Sequence, residues 1–247
     1  TKASQSFLID TSRAYVPAPG YQLKPVIGFN GRGYLIVWHD SRRGNRDIFA
    51  TRVDTSGILL DSVGLPISMM EHAQEFPSIA FDGVNYLIVW QDCRNNEYDI
   101  YGARISSSGI VLDPEGIPIS TYNGDQKYPS VAFDGLHYFV VWKDNREESP
   151  GIYGTRVSVS GVVLDTCGIP IDTGDTSPNH PYIIFDGTKY FVVWEDYAST
   201  YLPDIRGIYI DTSGIPLLDS SFLISPIYGN QWIPAVAYGN GEYFVVW

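Results

Sequence analysis

Residues 77–120 read PSIAFDGVNYLIVWQDCRNNEYDIYGARISSSGIVLDPEGIPIS. Pro77 to Phe81 is a short apolar run that stops at Asp82-Gly83, a pair suited to a tight turn between antiparallel strands. Tyr86 to Trp90 follows and is apolar throughout, as a strand covered on both faces must be. Beyond the polar stretch Cys93 to Tyr98, the segment Asp99 to Ile105 (DIYGARI) is rich in β-branched and aromatic residues and predicts a third strand. Ser107-Ser108-Gly109 turns the chain, Ile110 to Leu112 predicts a fourth strand, and Ile117-Pro118-Ile119 carries it onward. Nothing in the stretch keeps a helical period over the roughly 11 residues that identify a helix.

The same pattern recurs along the chain. Trp38, Trp90, Trp142, Trp194 and Trp247 stand 52, 52, 52 and 53 residues apart, each closing an apolar run (YLIVW twice, then YFVVW) behind a turn written FNG, FDG or YGN. A period near 50 residues marks a repeat architecture in which one unit cannot bury its apolar face alone. Four short antiparallel strands per unit, about five times over, predict an all-β fold: a five-bladed β-propeller occupying residues 1–247 as one domain. A stacked β-solenoid fits less well, because its repeats are shorter and its strands parallel. Phe7-Leu8-Ile9-Asp10 matches Phe222-Leu223-Ile224-Ser225, the end of a repeat. The N-terminal segment is therefore expected to complete the last blade and close the ring, which removes exposed sheet edges. The fifth repeat lacks a counterpart of DIYGARI, so a piece of a longer chain or of a larger ring is the rival reading.

The 247 residues carry 28 acidic against 16 basic side chains, a net charge of −12. This balance argues against nucleic acid or an anionic membrane as partner, since phosphate recognition needs Lys and Arg patches. The apolar runs are much too short to span a bilayer. The N-terminus shows no charged segment followed by an apolar one, so no signal peptide is expected in it. Cys93 and Cys167 occupy non-equivalent repeat positions, and two inert thiols are expected rather than a disulfide framework. The acidic, Tyr-rich and Lys-poor composition points to an extracellular or cell-surface setting.

At these residues the chain resembles the secreted β-propeller repeat proteins of bacteria and archaea. These are built on an F-D-G turn, a strand closing on V-W, a D-x-R, then D-I-Y-G-x-R-V and G-x-x-L-D-x-x-G. The resemblance covers nearly the whole chain. It implies the propeller fold and a secreted or surface location and points to no particular activity, since propellers host enzymes, lectins and scaffolds alike.

Asp40, Asp92, Asp144 and Asp196 follow the tryptophans by two residues, and Arg42, Arg94 and Arg146 lie two further on. The fourth repeat has Ala198 at that place and Tyr209 where Arg52, Arg104 and Arg156 stand. Groups repeated in nearly every blade read as blade-building clamps, because catalysis needs one asymmetric constellation. Asp40, Asn45 and Asp47, with their relatives Asp92, Asn96 and Asp99, offer oxygen ligands for calcium. They lack the Gly-anchored loop pattern, so no metal or cofactor is expected beyond a weak calcium option. His39, His72, His137 and His180 fall at different repeat positions, and no nucleophile-elbow or H-E-x-x-H motif occurs. For glycoside hydrolysis, which needs two carboxyls across a cleft, loop candidates are Glu71, Glu75, Asp125 and Asp175.

Gln22, Gln74, Gln126 and Gln231 recur three positions before Pro25, Pro77, Pro129 and Pro234. Phe76, Tyr128, His180 and Trp232 stand nearby. If the first strand of each blade is innermost, these residues ring the mouth of a central channel. Amides and aromatic planes there suit sugar hydroxyls and faces, or a protein surface. The regular repeat, without one reactive cluster, leads to the expectation of a non-catalytic extracellular module that binds a protein partner or shapes a surface assembly. The alternatives are a lectin-like propeller taking a surface glycan and a glycan-cleaving enzyme.

Overall fold

The computed structural model describes residues 19–146, 150–173, 177–197, 203–225 and 229–247, and it contains no helix among them. Strands meander in chain order. The first blade holds β1 (Gln22–Phe29), β2 (Gly33–Asp40), β3 (Asp47–Asp54) and β4 (Leu65–Ser68). The second holds β5 (Gln74–Phe81), β6 (Asn85–Asp92), β7 (Asp99–Ser106) and β8 (Ile117–Ser120). The third holds β9 (Gln126–Phe133), β10 (His137–Asp144), β11 (Gly151–Ser158) and β12 (Ile169–Asp172). The fourth holds β13 (Pro178–Phe185), β14 (Tyr190–Asp196), β15 (Asp204–Ile210) and β16 (Phe222–Leu223). The fifth has two strands among the described residues, β17 (Ala235–Gly239) and β18 (Glu242–Val246). Neighbouring strands within each sheet pair antiparallel.

The second strands of blades two, three and four (β6, β10 and β14) are buried on both faces because their alternate residues serve two interfaces. Tyr86, Ile88 and Trp90 join Leu35, Val37 and Ile48 of the first blade. Leu87 and Val89 join Tyr138, Val140 and Trp142 of the third. The register repeats at the third–fourth interface, where Phe139 and Val141 meet Tyr190, Val192 and Trp194. Trp90, Trp142 and Trp194 are fully buried. Trp38 is half-buried, because its side of blade one joins no core cluster among the described residues.

The outermost strand lies later than the sequence reading placed it. Ile110 to Leu112 forms a tight hairpin with one bridge, Ile105 to Val111, and the fourth strand is Ile117–Ser120. Asp113 explains the shift. Its carboxylate grips Arg104 through Nε at 2.8 Å and Nη2 at 2.9 Å, so the chain turns at Pro114-Glu115-Gly116 before it can pair again. Residues 7–10, expected to complete the last blade, lie outside the described residues.

Repeated charged pairs are blade clamps, as their repetition suggested. Trp90 Nε1 donates to Asp92 Oδ2 at 2.8 Å, and Arg94 Nη2 donates to the same oxygen at 2.6 Å. Arg94 also covers the Tyr101 ring at 3.9 Å and donates to the Glu115 carbonyl, pinning the outer turn to the strand end. Blades one and three repeat the arrangement with Asp40–Arg42 and Asp144–Arg146. A second clamp crosses between blades: Arg52 is paired with Asp61 and donates to the Ser108 carbonyl of the next blade at 2.5 Å. Cys93 and Cys167 are free thiols.

Candidate functional site at the channel mouth

The first strands of successive blades approach one another, β1 to β5, β5 to β9, β9 to β13 and β13 to β17, and so line the channel. Each begins with the same irregularity. The pairing of β5 with β6 slips between Glu75 and Ser78, and β1, β9 and β13 slip at the equivalent place. In blades one to four the bulge falls at the residue before proline, and the backbone of that residue is left-handed in all five blades: Lys24 (φ 54°), Phe76 (52°), Tyr128 (55°), His180 (46°) and Ile233 (51°). Non-glycine residues adopt this conformation at a cost, and proline strongly restricts the residue before it. A bulge re-aims a side chain, and here it turns these into the channel. Phe76 and Tyr128 meet edge to face at 4.9 Å, Tyr128 and His180 lie 4.0 Å apart, and Phe76 and His180 lie 6.2 Å apart.

Residues one place after the repeated tryptophans hold the bulges from the neighbouring blade. Phe76 N–H donates to His39 Nδ1 (3.4 Å), Tyr128 N–H to Gln91 Oε1 (3.1 Å) and Ile233 N–H to Glu195 Oε2 (2.8 Å). The third blade has Lys143 at this position, which cannot accept; it donates instead to Asn179 Oδ1 at 3.5 Å. An otherwise regular repeat thus presents a different side chain at every blade in these two places.

Two carboxylates stand among them. Glu195 accepts from Asn179 Nδ2 at 2.9 Å and lies 2.8 Å from His180 Nδ1. Burial pulls its carboxyl upward, and the bonds from His180 and the Ile233 N–H more than offset this, so it lies below the usual range and is ionised. Glu75 is buried, paired with Arg46, and accepts from Gln91 Nε2 (3.1 Å) and the Tyr98 hydroxyl (3.0 Å). His39 is held down to about 4 by burial first and by the charges of Arg46 and Lys24 next, so it is neutral at pH 7. Burial, then the charge of Lys127, lowers Lys143. Beside Glu195, the Tyr197 phenol is pushed up by burial and by that carboxylate.

Of the eight residues expected at the mouth, Phe76, Tyr128 and His180 converge as an aromatic floor. Trp232 is 54% exposed beside the Ile233 bulge. The glutamines do not share a common space. Gln74 and Gln126 are buried, with Nε2 bonded to the carbonyls of Glu71 and His72 and of Tyr122 and Gly124. Gln231 accepts from the Ile205 N–H, and exposed Gln22 donates to the Gly20 carbonyl. Their position, two residues before the bulge, sets them on the blade-entry turn, which they hold closed. Of the loop carboxylates, Glu75 reaches the mouth and Asp125 borders it through Lys127 (2.6 Å); Asp175 lies outside the described residues. Glu195, His39 and Lys143 were missed, although the signal was present: after each tryptophan the strict repeat reads His, Gln, Lys, Glu. Asp40 and Asp92, considered for calcium, spend their oxygens on Trp38 and Arg42 and on Trp90 and Arg94.

No protein-family model matches the chain, and no curated protein matches it. Solved structures do. A thermostable family-43 glycoside hydrolase is 18% identical, with a TM-score of 0.57 over 85% of this chain and 78% of its own. An α-L-arabinofuranosidase of Clostridium thermocellum is 16% identical, with a TM-score of 0.56 over 90% and 80%. The α-L-arabinanase of Cellvibrio cellulosa, solved with arabinohexaose, is 17% identical, with a TM-score of 0.53 over 85% and 84%. At these identities the likeness shows the fold, an all-β propeller of four-stranded blades. It also corrects the expectation of a non-catalytic interaction or structural module, because the solved propellers that this chain matches are glycan-cleaving enzymes.

Proposed function

We propose that the chain is a glycan-cleaving enzyme that works at the channel mouth. The observation that carries this reading is the convergence there of the aromatic floor, Phe76, Tyr128 and His180, with two carboxylates, Glu75 and Glu195, from blades two and four. Hydrolysis of a glycosidic bond uses two carboxyl groups flanking it, and aromatic planes take the apolar faces of sugar rings. Glu195, ionised and braced by His180, suits the carboxylate that activates water or meets positive charge at the anomeric carbon. Glu75, held by the Tyr98 hydroxyl and Gln91, is the second carboxyl of the pair. Exposed Trp232 extends the platform outward. An extracellular setting, expected from composition, suits a polymeric glycan.

Arabinan and arabino-oligosaccharides are the first substrates to try, since solved propellers of this shape act on arabinose-containing glycans. Reducing-end release should appear with the wild-type chain and fall by about 10²-fold or more in Glu195→Gln and Glu75→Gln. Glutamine keeps an acceptor for the Ile233 N–H in the first variant, so the fold is preserved. Full activity in both variants, or no release from any neutral or acidic polysaccharide tried, would sink the reading.

We also propose that the ring closes as five blades, with Phe7 to Asp10 as the outer strand of the last. Apolar faces left uncovered on the two end blades support this: Ile27 and Phe29 of β1, and Phe244 and Val246 of β18, are each at least 50% exposed.

A further inference from the structure

We propose that the glycan taken at the channel mouth is anionic, and that Lys24 and Lys143 receive its charged group, a uronate carboxylate or a sulfate ester. The inference rests on the glycan-cleaving reading and names its substrate class.

The chain has a net charge of −12 and only five lysines, yet Lys24, Lys127 and Lys143 all stand at this one end of the channel. Glu75 is paired with Arg46 and Asp125 with Lys127, and Glu195 spends its oxygens on Asn179, His180 and the Ile233 N–H. Lys24 and Lys143 are left over. Among the described residues neither forms an ion pair; the Lys24 ammonium lies 5.2 Å from the centre of the Phe76 ring, and Lys143 reaches only the neutral Asn179 amide. Lys143 is half-buried, and burial and the charge of Lys127 lower its affinity for its proton more than the charges of Glu195 and Asp125, which are not in contact with it, restore.

His39 supplies a second, independent observation. It is 4% exposed, and its Nδ1 accepts the Phe76 N–H, so its proton sits on Nε2. That Nε2 is buried and has no hydrogen-bond partner. A buried donor without an acceptor is costly, and this one belongs to a ring whose centre lies 6.0 Å from that of Phe76, beside the aromatic floor. Two cations outside any ion pair among the described residues and an unused N–H, set around an aromatic floor, fit a sugar ring that bears an anionic substituent. The hydroxyls of a neutral sugar can accept hydrogen bonds from these groups, but only an anionic substituent also brings charge to the two ammonium groups.

Calorimetric titration of the full chain with three oligosaccharides tests this: an oligogalacturonate, a sulfated galactose oligomer and neutral arabinohexaose. One of the two anionic oligomers should bind at least about tenfold more tightly than arabinohexaose, with most of the advantage lost between low and high salt as the charges are screened. Whichever binds more tightly identifies the anion. Lys143→Met and Lys24→Gln should each weaken that binding about tenfold, a typical loss for a charge-assisted hydrogen bond. Lys189→Gln, at the opposite end of its blade, should not. Lys24 is exposed, so its variant tests the idea even where Lys143→Met fails to fold. Arabinohexaose binding as tightly as both anionic oligomers would overturn the inference and leave glycan cleavage standing, as would equal losses in Lys189→Gln. Binding of none of the three would overturn both.

Discussion

At the scale of single residues, the channel mouth is built from side chains in costly states. Five left-handed residues precede prolines, and two of the groups that brace them, His39 and Glu195, are titratable. His39 gives a pH signature. Its folded value, about 4, lies below its unfolded 6.5, so the unfolded chain binds a proton that the folded chain refuses. Its contribution is fully present above pH 6.5 and is lost as pH falls towards 4, to a total of order 3 kcal/mol. Chemical denaturation at pH 7 and pH 4.5 should therefore differ in the wild type, and the difference should shrink in His39→Gln, which can still accept the Phe76 N–H. An unchanged difference would show that other groups carry it. A second contrast concerns the tryptophans. Trp90→Ala should cost about 3–5 kcal/mol, as large core aromatics do, and Trp38→Ala distinctly less if its face stays half-open as described.

At the scale of the element, the register of the third strands depends on one small residue. A Cβ on Gly154 would lie 2.5 Å from the Phe139 ring and 3.0 Å from the Val140 carbonyl oxygen, a backbone atom. Blade one carries Ala50 at this register, paired with Val37, where the second strand has the slimmer Leu35 in place of Phe139. Gly154→Ala should therefore destabilise by about 1–3 kcal/mol as overpacking, and adding Phe139→Leu should restore part of the loss; thermal melts of the single and double variants would decide it. The sequence made the elements legible because the turn pairs, the apolar runs and the 52-residue spacing agree with one another. It misled at Ile110 to Leu112, where the Arg104–Asp113 clamp, invisible to propensity, delays the outer strand to Ile117. It half-revealed the site. Aromatic residues before proline drew attention, but a periodic glutamine drew as much, and only the bulge separates the side chain turned into the channel from the one that ties a loop. Glu195 was passed over because it lies inside an apolar strand rather than on a loop.

At the scale of the whole molecule, four interfaces are built and a fifth remains to be accounted for. Between blades one and two, two and three, three and four, and four and five, alternate strand residues form continuous clusters. The remaining faces are of the same kind. Phe244 at 73% and Val246 at 53% exposure on blade five would oppose Ile27 at 61% and Phe29 at 50% on blade one, and monomeric proteins rarely leave such paired apolar surfaces in water. If the ring closes in solution, a charge placed in the seam is buried without a partner. Phe244→Glu and Ile27→Lys, made singly, should then each lower stability by about 2 kcal/mol or more. The equivalent change on a surface turn, Val84→Glu, should stay within about 0.5 kcal/mol. Removing residues 1–18 should produce a loss comparable to the seam charges, and combining the deletion with Phe244→Glu should add little, since both open the same interface. Full additivity, or seam variants as stable as the wild type, would mean that the propeller stays open between blades five and one, and Trp38 would remain as accessible to a fluorescence quencher in the intact chain as in the truncated one.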